Sequence, residues 1–148
     1  DTWEGRRFAS IFVSPDLGRT WTRHPFEAPE GCTVLRQVDL IVTPAEPRVL
    51  YAQGYCPDPS DELAPLHTVL LASDASGAHW ATLPIQVDGT SWVQMSPVRA
   101  GLWYTLSSKG TLLRSEDWGG HWSELGFIPG GLLIFSPADA DRLLSNRG

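Results

Sequence analysis

Short β-branched or aromatic runs recur along the whole chain: RFASIFVS, VDLIVT, RVLYAQ, HTVLLAS, SWVQMS, LWYTLS, GTLLRS and LLIFS. Each has the length of a strand and is bounded by Gly, Pro, Ser or Asp, the residues that punctuate strands with turns. No segment sustains an apolar period of 3.6, so helix is at most incidental. The pattern predicts an all-β chain.

The segments between the strands repeat. SPDLGRTW (Ser14 to Trp21) returns as SDASGAHW (Ser73 to Trp80) and SEDWGGHW (Ser115 to Trp122), with the closing tryptophans 59 and 42 residues apart. Periods of about 40 to 50 residues mark propeller blades or arrays. A second motif runs out of phase with the first. TPAEPRVLYA (Thr43 to Ala52), SPVRAGLWYT (Ser96 to Thr105) and SPADADRLLS (Ser136 to Ser145) align without gaps as Ser/Thr-Pro, a few small or polar residues, then an apolar strand.

Each unit therefore reads as strands A and B joined by the Pro turn, then C and D joined by the eight-residue box. Residues 1 to 25 supply C and D of one blade, 33 to 85 a whole blade, 90 to 126 another, and 131 to 148 only A and B of the next. The fold expected for 1–148 is one partial β-propeller domain of four-stranded antiparallel blades, two whole and two half. A closed ring needs about four to eight blades, more strands than this chain carries.

The box has a physical rationale. A reversal between twisted strands calls for a short side chain that bonds its own backbone, then a residue tolerant of positive φ. In the first box Asp16 can accept from loop N–H groups, Gly18 can take the left-handed conformation, and Ser14 and Thr20 can bridge the strand ends. Trp21 is then expected to bury a large apolar surface, its indole N–H finding a carbonyl.

These residues carry a resemblance. S-x-D-x-G-x-T-W resembles the Asp-box, or BNR repeat, of the sialidase-like β-propellers, with similar repeats in xyloglucanases, sortilin-type receptors and a photosystem II assembly factor. The first box matches at every defined position. The third keeps Ser115, Asp117, Gly119 and Trp122 with His121 in place of Thr. The second keeps Ser73, Gly77 and Trp80, with Ala75 in place of Asp and His79 in place of Thr. The resemblance implies that the boxes lie on C–D hairpins at the face away from any ligand, so that Asp16 and Asp117 are structural.

Composition narrows the function classes. A net charge of -6 and a pI near 5.0 disfavour a phosphate backbone, so nucleic acid is not an expected partner. No apolar run approaches the roughly 20 residues of a membrane helix, and DTWEGRR lacks the apolar core of a signal peptide. His79 and His121 occupy equivalent positions in separate blades, while His24 and His67 lack neighbours at ligand spacing, so no metal is expected. Gly-rich phosphate loops and G-x-S-x-G nucleophile motifs are absent too, and no cofactor is implied.

Subtracting one repeat from another shows what is not scaffold. Ala52 to Ser73 spans 21 residues against 10 for Thr105 to Ser115, and Trp21 to Pro44 spans 23 against 17 and 15 for its counterparts. By meander geometry both enlarged loops fall on the face opposite the boxes, where binding residues concentrate on a rigid scaffold. Candidate contacts there are Glu27, Glu30, Asp58, Asp61, Glu62 and Asp88, which are otherwise solvated loop acids. Cys32 and Cys56 sit one in each enlarged loop. With the intervening turn centred near residues 45 to 46, Cys56 lies almost opposite residue 35, and a Cys32–Cys56 disulfide is expected, two partly buried thiols being the alternative. A disulfide favours a secreted or cell-envelope protein.

Asp39 stands in register with Trp92 and Leu132, a carboxylate at an otherwise apolar position on an innermost strand. Such an acid is either paired for structure or part of a site, where it is the only catalytic candidate. Arg36, three residues earlier, is expected on the opposite strand face. The leading functional expectation is a non-catalytic scaffold that binds a protein or glycan through the loop face. The alternative is part of a glycoside hydrolase, which needs paired carboxylates or a Tyr/Glu nucleophile with an arginine cluster. Arg6 and Arg7 precede the first box without an Arg-Ile-Pro motif, and a xyloglucanase-like reading needs a second carboxylate from a blade outside this chain. The half blades find their complement either in further blades of a longer chain or in a homodimer closing a six-bladed ring.

Overall fold

The computed structural model describes residues 2–3, 6–7, 9–26, 29–30, 32, 34–57, 67–85, 92–128, 131–136 and 139–146. Among them there is no helix, and the chain is all-β. The strands are β1 (Thr2–Trp3), β2 (Arg6–Arg7), β3 (Ala9–Val13), β4 (Thr22–Phe26), β5 (Arg36–Ile41), β6 (Val49–Cys56), β7 (His67–Asp74) and β8 (Trp80–Leu83). They continue with β9 (Gln94–Met95), β10 (Trp103–Leu106), β11 (Thr111–Ser115), β12 (Ser123–Phe127), β13 (Leu132–Ser136) and β14 (Asp139–Asn146).

Two four-stranded antiparallel meanders, β5-β6-β7-β8 and β9-β10-β11-β12, and two hairpins, β3-β4 and β13-β14, coincide with the strand groups read from the repeats. The β1-β2 hairpin is additional. Its first strand carries no run long enough to register as a pattern, and its second divides RFASIFVS into two strands. The chain forms two compact units, Asp1–Ile41 with Arg48–Leu83, and Val42–Pro47 with Pro84–Gly148.

In the first unit Ile11 of β3, Ala52 of β6 and Leu71 of β7 form a buried cluster with Leu35, and Val13, Val38, Val69, Cys32 and Trp80 pack around it. These residues lie on one face of their sheets, which is why the apolar positions alternate there. In the second unit Val93, Met95, Leu102, Trp103, Leu106 and Leu133 are buried, and the rings of Tyr104 and Phe135 meet edge to face at 5.7 Å. The Ser/Thr-Pro motif closes its turns through the hydroxyl. Thr43 Oγ1 accepts from the Ala45 N–H, and Ser96 Oγ accepts from the N–H groups of Val98 and Arg99. Thr43 Oγ1 also donates to the Ser96 carbonyl at 2.6 Å.

The boxes close as their chemistry predicts in two cases. In the first, Ser14 Oγ donates to Asp16 Oδ1 and accepts from the Gly18 N–H, while Asp16 accepts from the N–H groups of Arg19 and Thr20 and from the Thr20 hydroxyl at 2.7 Å. The third repeats this. Ser115 Oγ donates to Asp117 and accepts from the Gly119 N–H, the His121 N–H donates to Asp117 Oδ1, and His121 Nδ1 lies 2.5 Å from Asp117 Oδ2, where the first box has its Thr hydroxyl. In both, the residue after Asp and the glycine that follows have positive φ: Leu17 and Gly18 at 59° and 88°, Trp118 and Gly119 at 56° and 81°.

The second box closes differently. With Ala75 in the Asp position, Asp74 one residue earlier accepts from the Ser76 N–H and hydroxyl, and the buried Ser73 Oγ has no hydrogen-bond partner among the described residues. The indole N–H groups of Trp21 and Trp80 each donate at 3.0 Å to the glycine carbonyl three residues earlier, Gly18 and Gly77. Trp122, by contrast, has no such partner among the described residues. One expectation is corrected here: Trp21 is 60% exposed. Its ring lies over Gly18 of its own turn, whereas Trp80 reaches the cluster around Ile11 and Leu71.

Candidate functional site

The end of the β5–β8 sheet away from its box is tied by a Cys32–Cys56 disulfide, with Cα atoms 5.6 Å apart. Arg36 pairs with Tyr55 across the ladder, so the next residue of β6, Cys56, falls opposite residue 35 as the turn count requires. The disulfide fastens the turn in which the Cys32 N–H donates to the Pro29 carbonyl, and so brings exposed Glu30 to this end. Glu27, Asp58, Asp61, Glu62 and Asp88 lie outside the described residues.

β5 carries a bulge that the sequence reading did not foresee. Arg36 pairs with Tyr55 and Asp39 with Gln53, so Gln37 and Val38 together face Gly54, and Gln37 takes φ 51°. The extra residue reverses the alternation. Arg36 and Asp39 therefore share one face, contrary to the expectation that Arg36 points the other way, while Leu35 and Val38 both pack where a Cβ on Gly54 would stand. Bulges are common beside functional sites because they re-aim a side chain in this manner.

The register then builds a polar face. Arg36, Tyr55 and Thr68 form one row across β5, β6 and β7, and Asp39, Gln53 and the fully buried Leu70 form the next. Tyr55 and Gln53 are buried, at 8% and 4% exposure, although both are polar. Burial, and after it the negative charge of Asp39, push the Tyr55 phenol up. Asp39 itself is exposed, which corrects the expectation of a buried acid. β5 is the edge strand of its sheet and leaves Arg36, Gln37, Asp39 and Leu40 open to solvent.

No family model, curated protein or solved structure matches this chain. Its chemistry is therefore read from its own residues. No group of three or more His, Cys, Asp or Glu that could hold a metal comes together among the described residues, and none of their helices could cross a membrane, since they form none. Of the residues singled out from sequence, the structure brings Arg36 and Asp39 to one face, while Cys32 of the disulfide packs with the apolar cluster on the other. Tyr55, Gln53 and Thr68 were missed because strand residues next to a cysteine read as ordinary β-sheet. The available signal was polar Gln53 and Tyr55 inside the otherwise apolar run that became β6.

Proposed function

We propose that this chain is part of an Asp-box β-propeller of the sialidase-like kind. Each four-stranded meander is then a blade, and the chain is a non-catalytic scaffold that binds a protein or glycan partner through the face opposite the boxes. The observation that carries the reading is the bulged β5 edge, which sets Arg36 and Asp39 beside Tyr55, Gln53 and Thr68 at the disulfide-tied end. Arg36 and Asp39, both exposed on this edge, offer a guanidinium and a carboxylate to a hydroxyl-rich or peptide ligand, with Tyr55 and Gln53 buried behind them. The second box, between β7 and β8, lies at the other end of this sheet, in keeping with structural and ligand ends as the resemblance implies, and the disulfide is compatible with export.

The second reading, a share in a glycoside hydrolase, draws on the closeness of Asp39 to Tyr55. The test is a glycan and peptide array probed with the wild-type chain, Asp39→Asn and Tyr55→Phe. Binding by the wild type that both substitutions weaken, without turnover of the bound glycan, is expected. Binding untouched by either substitution contradicts the proposed face, and hydrolysis lost in Asp39→Asn establishes the second reading.

A further inference from the structure

A second candidate surface lies at the box end, within the unit formed by Val42–Pro47 and Pro84–Gly148. Trp118, at the tip of the third box, is 52% exposed yet held at three points. Its backbone N–H donates to the Gly101 carbonyl at 3.2 Å. Its indole N–H donates to Glu46 Oε1 at 2.6 Å, from a turn 72 residues earlier in the chain. Its ring lies against Gly101, where an added Cβ would stand 3.0 to 3.2 Å from three ring carbons. A side chain there would crowd the ring, and the aligned position of the preceding repeat is Arg48.

The hairpin does not need this arrangement in order to close. The first box makes the same Ser–Asp network with Leu17 in the Trp118 position, fully exposed. Glu116 Oε1 accepts from Arg99 at 3.1 Å and from Arg114. Glu116 is two residues before Trp118, and Arg99 is two before Gly101. The Arg99–Glu116 pair thus joins the two turns that meet where Trp118 lies on Gly101, Glu46 holds the indole N–H, and the two carboxylates are balanced by Arg99 and Arg114.

We propose that Trp118 is the stacking platform of a sugar-binding site for a neutral hexopyranoside with equatorial hydroxyls, such as a β-linked glucosyl unit. Such a ring presents an apolar face of axial C–H bonds to the indole and a rim of hydroxyls to Arg99, Glu116 and Glu46. An indole fixed before binding adds affinity because little side-chain freedom remains to be lost. Charge balance favours a neutral ligand over an anionic one. This site belongs to the other compact unit from the Arg36–Asp39 face and does not depend on it.

The test uses the soluble β-1,4-linked glucose hexamer and the indole ¹H–¹⁵N resonances of the seven tryptophans, Trp118 being assigned by its loss in Trp118→Phe. The Trp118 resonance is expected to move saturably with millimolar hexamer. Trp118→Ala should weaken binding at least about tenfold, Trp118→Phe should keep part of it, and Glu116→Gln should weaken it several-fold with an unchanged melting temperature. If Trp118→Ala does not fold, the other two variants and the wild-type titration decide. An unmoved Trp118 resonance, or movement confined to other tryptophans, overturns the proposal. Equal affinity in Glu116→Gln and Trp118→Phe overturns it too. A proline-rich peptide that moves Trp118 where the hexamer does not would make the platform a protein contact and also overturns it. A titration abolished by Asp39→Asn and indifferent to Trp118 assigns the sugar to the other face.

Discussion

Arg36 and Asp39, three positions apart on β5, share one face of their sheet because Gln37 and Val38 together oppose the single residue Gly54. In a regular strand that spacing separates two side chains by the thickness of the sheet. The bulge converts it into a cross-strand neighbourhood with Tyr55 and Gln53, leaving the apolar face to Leu35 and Val38. One inserted residue thus serves both packing and the polar face.

The second box offers a gain-of-stability test. Ser73 Oγ is buried without a partner among the described residues where Ser14 and Ser115 donate to an aspartate two residues on. Ala75→Asp supplies that acceptor and should stabilise the chain by about 1 kcal/mol, roughly 3 °C in Tm. Ser73→Ala, which removes the orphaned hydroxyl, should be neutral or slightly stabilising. Thermal denaturation of both variants checks this.

Leu17 has positive φ and is fully exposed, so its side chain meets backbone strain without compensating burial. Leu17→Asn should stabilise by about 0.5 kcal/mol, since asparagine tolerates this region, and Leu17→Val should destabilise by a comparable amount. Urea denaturation midpoints of the two variants should move in opposite directions.

The Cys32–Cys56 bridge closes a loop with a sequence separation of 24. Chain-entropy reasoning assigns it about 3 kcal/mol. Wild-type chain in reductant, and Cys56→Ser without it, should lose stability by that amount. Mass spectrometry of non-reduced native protein should count no free thiol.

The box carboxylates set an acid limit. Asp117 is held down at about 2, first by the His121 side chain and then by its backbone N–H. Asp16 is lowered first by the Thr20 N–H, and Asp74 first by the Ser76 hydroxyl. Carboxylates with lowered folded values contribute stability that is fully present above the ordinary range near pH 4 and is lost as pH falls through the folded values. Urea midpoints should therefore drop as pH is lowered from about 4 toward 2. Asp117→Asn should flatten that drop, and added salt should weaken the effect of these exposed pairs.

Most of the strand plan was legible because it rests on local signals. The Ser-x-Asp-x-Gly spacing fixes a hairpin by itself, Ser/Thr-Pro fixes a turn, and the repeats set the strand groups. The disulfide followed from counting outward from the Thr43–Pro47 turn. The face of Arg36 was not legible, because a bulge is a negotiation between strands that Gln37 alone does not announce. Trp21 was expected inside because tryptophan usually packs, yet its position over Gly18 leaves it half open. The hold of Glu46 on Trp118 spans 72 residues and has no local signature.

The most direct test of the account compares melting temperatures of Asp39→Asn with those of Asp16→Asn and Asp117→Asn. The account places the box aspartates in the hydrogen-bond networks that close the hairpins and leaves Asp39 on an exposed edge for ligand. The two box variants should melt several degrees below wild type, and Asp39→Asn should melt with wild type. Loss of stability in Asp39→Asn equal to that in the box variants would make Asp39 a structural acid and contradict the assignment of the β5 edge as the binding face.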